Sequence, residues 1–172
     1  FGETCPQYLE LTYRCLCAPD GAKFLCSPPL RSEDEQAQLW AALRRGELQV
    51  VSSDHSAYNY AGGGAASKTA GGATTPFTKV PMGLPGLECR YPLLLSAALT
   101  GKLSSLSQAV ALCSEAPARL YGCFPRKGSL QVGSDADVVL WDPTVEGVIR
   151  KEALYDDLDY TPYEGKPLRG QV

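Results

Sequence analysis

The sequence predicts an α/β fold built on a parallel sheet of the barrel kind, and three observations predict it. Leu48-Gln49-Val50-Val51 is a short apolar run entered through Arg44-Arg45-Gly46-Glu47 and left through Ser52-Ser53-Asp54, so it reads as a strand ending in a carboxylate. A carboxylate at the C-terminal end of a strand, followed by a long glycine-rich loop, occupies the place where parallel barrels carry their chemistry. Before that strand the order strand, loop, helix gives the βαβ pattern that requires a parallel sheet.

Taken in order, the elements are read as follows. Residues 1–9 are expected to be extended, with Phe1-Gly2-Glu3-Thr4-Cys5 leading into Pro6. Ala22-Lys23-Phe24-Leu25-Cys26 forms a second short apolar piece that runs into Ser27-Pro28-Pro29, a stiff loop because proline neither donates to a ladder nor continues a helix. Ser32 then caps a helix whose first turn carries Glu33, Asp34 and Glu35, the last completing a capping box. Ala37, Leu39, Trp40, Ala41 and Leu43 give that helix an apolar face until Gly46, and Arg44-Arg45 complement its dipole.

From Tyr60 to Thr75 the composition collapses to Gly, Ala, Ser and Thr with one lysine. Such a stretch offers too little apolar surface to offset its ordering entropy, and it is expected to be a flexible, passive insertion rather than a working lid. Pro81-Met82-Gly83-Leu84-Pro85-Gly86 is a second turn-rich segment. Residues 90–100 read as a buried helix stopped by Gly101, and Ser104 or Ser105 caps a helix over 106–114. Ala116 to Gly122 reads as a short helix with Pro117 in its first turn. The character changes at Gly128: residues 129–133 and 136–141 are β-rich, and the tail after Lys151 is polar and proline-containing. A domain boundary is placed there, dividing residues 1–128 from residues 129–172.

Composition narrows the function classes. No run approaches the about 18 apolar residues of a membrane span. A net charge of −3 argues against nucleic acid or an anionic membrane as the main partner. Seven cysteines, an odd number without a CxxC pair, are expected to be reduced thiols of a cytoplasmic protein rather than a disulfide or zinc framework. The single histidine, His55, cannot build a metal or acid–base site by itself. It follows Asp54 on a strand, points to the opposite side, and is read as a supporting or core residue rather than a ligand. Asp54 is therefore ordinary, or the rest of its site lies outside this chain, and the second reading is preferred.

Several motifs in register now carry a resemblance. Gly2-Glu3-Thr4-Cys5-Pro6-Gln7-Tyr8, Cys26-Ser27-Pro28-Pro29-Leu30-Arg31 and Leu48 to His55 come first. Phe77-Thr78-Lys79-Val80-Pro81 with Gly83-Leu84-Pro85-Gly86 follow, then Pro125-Arg126-Lys127-Gly128. Gly133 to Pro143 and Asp159-Tyr160-Thr161-Pro162-Tyr163-Glu164-Gly165 close the series. In this order they resemble the cyclic amidohydrolases of the dihydropyrimidinase and hydantoinase family, over nearly the whole chain except the Gly/Ala loop.

That resemblance implies the C-terminal part of a TIM-like (β/α)8 amidohydrolase barrel over residues 1–128, with part of a small β-sandwich domain and a tail over 129–172. It implies a homotetramer acting on small cyclic amides in pyrimidine catabolism, with two Zn²⁺ ions per active site. The family's ligands are a His-x-His pair, a carboxylated lysine, two later histidines and one aspartate. Only the aspartate motif is present, at Asp54. The chain begins at Phe1 and its only methionine is Met82, so it is expected to be a piece of a longer enzyme, truncated on both sides.

By the same resemblance Asp54 is a metal ligand and the catalytic proton carrier. Ser27 corresponds to a serine that binds the ring amide. Met82 stands where relatives usually have asparagine, a position used largely through its backbone, and a flexible thioether there bears on substrate choice. The implied reaction opens dihydropyrimidine or hydantoin rings to N-carbamoyl amino acids. Allantoinase and dihydroorotase activities share this metal chemistry. The collapsin-response-mediator relatives are non-catalytic scaffolds of the same fold; they lack the aspartate, whereas this chain keeps Asp54.

Overall fold

The computed structural model of the chain describes residues 1–62, 67–70 and 75–171. Two strands, β1 (Glu3–Thr4) and β2 (Val50–Val51), pair in parallel, Glu3 opposite Val50 and Thr4 opposite Val51. The crossover between them carries α1 (Pro6–Glu10) and α2 (Glu33–Arg45), so a βαβ unit is present, but its first strand is β1 and not the apolar piece at 22–26. α3 (Leu87–Leu99), α4 (Leu106–Val110) and α5 (Ala116–Leu120) follow, and β3 (Asp142–Val148) pairs antiparallel with β4 (Pro167–Gln171).

α2 forms for the local reasons its sequence states. Ser32 Oγ accepts from Glu35 N–H at 3.3 Å and Glu35 Oε2 accepts from Ser32 N–H at 3.0 Å, the reciprocal bonds of a capping box. Gly46 ends the helix at φ 73°, a left-handed conformation that costs other residues a clash at Cβ. Its buried face is narrower than the apolar pattern suggests: Trp40 and Leu43 are buried whereas Ala37 is exposed. Trp40 also donates Nε1–H to Leu9 O at 2.9 Å, which locks α1 onto α2.

Several local expectations are corrected. Residues 6–10 are helical, not extended, because Pro6 sits at the start of α1 where its missing N–H costs nothing. Gly21–Phe24 is a 3₁₀ turn rather than an apolar strand. α3 starts three residues before the predicted start at Arg90, and Ser105 rather than Ser104 caps α4. A π turn over Ala111–Glu115 joins α4 to α5, so the two expected helices form one continuous helical run. The strand expected at 136–141 begins only at Asp142; Val138, Val139 and Leu140 are exposed, since no strand of the described residues pairs with them.

Part of the Gly/Ala-rich stretch also departs from expectation. Ser67 and Lys68 are buried, at 4% and 0% exposure, so these residues are packed rather than passive. Residues 63–66 and 71–74, where the rest of that expectation falls, lie outside the described residues. The tail is likewise more than a polar wrapping. Ile149 and Tyr163 enter a core cluster with Leu11, Cys26, Leu84 and Leu93, and Lys166 Nζ donates to Glu10 O at 2.6 Å. All seven cysteines are free. Among the described residues no helix is long and apolar enough to cross a membrane.

Candidate functional site

β2 ends at Val51, and the chain is still held to β1 at the next residue, where Ser52 N–H donates to Thr4 O at 3.0 Å. Two residues on, Asp54 turns into left-handed space at φ 45°, a conformation that aspartate adopts more readily than most residues with a side chain. That twist ends the pairing with β1 and leaves the Asp54 carboxylate exposed at the rim of the parallel sheet. Strained backbone of this kind persists where the surroundings fix it. Here Gln7 does so, donating Nε2–H to Asp54 Oδ2 at 2.7 Å from a side chain only 1% exposed.

Gln7 is a site residue to which sequence reasoning assigned no role. Its signal was available: parallel strands end at the same rim, so the polar residue just after β1 faces the one just after β2. Beside it, Tyr8 reaches the neighbouring loop, its hydroxyl donating to Pro28 O at 3.0 Å. Burial pushes the Tyr8 phenol up to about 12. It therefore stays a protonated donor throughout the neutral range.

The chain beyond Asp54 forms the second wall. His55 pairs with Leu84 as an isolated parallel bridge, and Ser56 N–H donates to Leu84 O at 3.1 Å. This register requires Gly83, since a Cβ there would lie 2.4 Å from Ser56 O. Gly83 N–H in turn donates to Leu25 O at 3.1 Å. Three segments are thus bonded side by side: the Ser27 turn, the Asp54 strand end and the Met82 turn. Ser27 and Met82 are both exposed, as Asp54 is, and the segments that carry the three lie side by side.

His55 does something the sequence did not indicate. Its Nδ1 accepts from Gly86 N–H at 3.3 Å and Leu87 N–H at 3.2 Å, the first free donors of α3. Gly86 stands at the cap position and has no side chain to offer, so a residue of another segment caps the helix. The ring is exposed, which corrects the expectation of a core placement, and it serves as a support between Asp54 and α3.

Desolvation dominates the titration of the chain's more deeply placed thiols and of Lys68. Burial pushes the thiols of Cys26, Cys89 and Cys113 from 9.0 up to about 11. Between these limits the unfolded chain releases thiol protons that the folded chain keeps, so stability falls as pH rises through that window. Lys68 acts in the opposite sense: burial lowers it from 10.5 to about 8, so its contribution grows with pH between those values. Three thiols outweigh one amine. The thermal midpoint is therefore expected to drop steeply between about pH 9 and pH 11, and a flat profile there would refute the burial of these thiols.

Among the described residues no group of three or more His, Cys, Asp or Glu side chains is placed to hold a metal ion. Asp54, an exposed carboxylate oriented by one amide, has the chemistry of a single ligand, and the described residues do not complete a metal centre around it.

Comparison with known proteins gives a consistent set of relatives. The family model described as "Amidohydrolase family" matches residues 15–169. The D-hydantoinase of Streptomyces coelicolor is 42% identical over 174 residues, covering 100% of this chain and 36% of that protein. The D-hydantoinase of Rhizobium radiobacter is 44% identical over 170 residues, covering 98% of this chain and 36% of that protein. Among solved structures, the dihydropyrimidinase from Brevibacillus agri superposes with a TM-score of 0.92 at 46% identity, over 100% of this chain and 36% of that one. The chain therefore spans little more than a third of the length of these relatives.

Proposed function

The chain belongs to the amidohydrolase family, and from that premise we propose that it supplies the aspartate-bearing part of a hydrolase that opens cyclic amides, hydantoins or dihydropyrimidines, to N-carbamoyl amino acids. The observation that carries the reading is Asp54: an exposed carboxylate at a strand end, twisted to φ 45° and held by Gln7, on the same rim as the Ser27 and Met82 turns. The complete enzyme in this reading is this chain joined to the further segments that its relatives carry. It is a cytoplasmic homotetramer in which residues 1–128 belong to the barrel and 129–172 to a partial sandwich and tail.

Its cofactor is a pair of Zn²⁺ ions, for which Asp54 is one ligand and the part of the relatives that this chain does not span supplies the others. When bound, such a pair generates a nucleophile from water at neutral pH and polarises the amide carbonyl. The residues of this chain handle the proton and the ring. Asp54 takes the proton of the attacking water and returns it to the ring nitrogen as the C–N bond breaks, so that nitrogen leaves as a neutral group rather than an amide anion. Ser27 binds the ring amide. The Met82 turn does the same through its backbone, with the thioether shaping the space beside it.

The test is steady-state turnover of hydantoin, dihydrouracil, allantoin and dihydroorotate by the zinc-loaded complete enzyme. Hydrolysis of hydantoin or dihydrouracil in preference to the other two is the expected result, and absence of turnover of all four would overturn the reading. The 172-residue chain by itself is expected to hydrolyse none of them and to retain no stoichiometric zinc after gel filtration, because one carboxylate is far short of a four-ligand site. Metal-dependent turnover by this chain alone would show that the ligand assignment is wrong.

A further inference from the structure

We propose that Lys68 is a positioning residue for the cyclic amide: its buried ammonium ties the Ser27 turn to the Met82 turn and so sets the width of the rim on which the ring lies. The inference rests on the function proposed above, because it assigns no chemistry to Lys68 and acts only through those two turns.

Lys68 comes from a stretch whose sequence offers nothing but small residues around it, yet its side chain is 0% exposed. Nζ donates to Leu25 O and to Pro81 O, both at 3.0 Å. Leu25 lies two residues before Ser27, and Pro81 immediately precedes Met82. One ammonium thus grips the backbone at the root of each turn. Leu25 O also receives Gly83 N–H, so the two turns meet at a shared acceptor.

The base of the side chain is fixed as firmly as its tip. Lys68 N–H donates to Asn59 O at 2.8 Å, and Tyr60 O accepts from Thr69 N–H at 3.1 Å and from Thr69 Oγ1 at 2.6 Å. The Asp159 carboxylate holds Tyr60 N–H and Ala61 N–H at 2.7 Å each. Residues 59–61 are therefore anchored to the tail, and Lys68 reaches inward from that anchor.

Filling this space is a task that leucine or methionine does without desolvating a charge. An ammonium held by two carbonyls, with no carboxylate partner among the described residues, is an expensive choice, reflected in the fall of its pKa to about 8. What it supplies that an apolar side chain cannot is directional donation to two carbonyls at once. Rim width governs how a bound ring sits before Asp54 passes its proton, so the effect belongs to binding more than to the proton transfer.

The experiment compares the zinc-loaded complete enzyme with its Lys68→Met and Lys68→Ala variants on the preferred cyclic amide, with zinc content and melting profile measured alongside. KM is expected to rise about tenfold or more in both variants while kcat stays within about fivefold. Propylammonium, which replaces the three methylenes and the ammonium that Lys68→Ala removes, is expected to lower its KM again in a saturable way. A KM unchanged in a folded, zinc-loaded variant would overturn the proposal, as would equal losses in kcat and KM that propylammonium does not relieve. Should both variants fail to fold, Thr69→Val decides, since it removes one bond to Tyr60 O without touching the turns: a KM raised about threefold at constant kcat supports the proposal, and an unchanged KM overturns it. Absence of turnover in the unmodified enzyme is a different outcome, and it refutes the proposed function itself.

Discussion

Replacing Asp54 by asparagine in the complete enzyme is expected to lower kcat by about 10²–10⁴-fold with the fold intact, the range for loss of a general acid–base group. Asparagine is the informative substitution because it keeps the size and one accepting oxygen of the side chain while removing its charge and its proton chemistry. Its amide oxygen still accepts from Gln7 Nε2, which lies 2.7 Å from Asp54 Oδ2. Asparagine also tolerates the left-handed backbone at φ 45° that alanine would strain. The measurement is kcat together with bound zinc. A near-normal rate with zinc bound would remove Asp54 from the proton path. Parallel loss of zinc and rate would make it chiefly a ligand.

The second large effect is structural and concerns Tyr163, fully buried at 0% exposure in the cluster that also holds Cys26 and Leu84. These two neighbours underlie the Ser27 turn and the bridge to His55, so the tail supports the rim from below. Tyr163→Ala is expected to cost about 3–5 kcal/mol, the scale for truncating a buried aromatic ring. Tyr163→Phe is expected to cost nothing or to stabilise, because the buried hydroxyl has no hydrogen-bond partner among the described residues. Urea unfolding of the three chains separates the two contributions. A Tyr163→Phe chain destabilised by more than about 1 kcal/mol would show that the hydroxyl is paired after all.

The sequence by itself determined the elements whose causes lie within a few residues. The capping box of Ser32 and Glu35, the apolar positions around Trp40 and the stop at Gly46 specify α2 without help from the rest of the chain. The apolar run before Asp54 specified a strand ending in a carboxylate, and the motif series pointed to a family that the comparisons bear out. Tertiary structure decided what local pattern cannot carry. Val138 to Leu140 have the residue types of a strand, but a strand exists only where a partner lies beside it, and pairing begins at Asp142. His55 became a helix cap because Gly86, 31 residues away, had no side chain to cap with. Lys68 looked like the one charge of a loose glycine-rich loop, and its burial is set by carbonyls 43 and 13 residues distant. Those bonds exist only after the two turns have been brought together, so no window of neighbouring residues contains the information that places them.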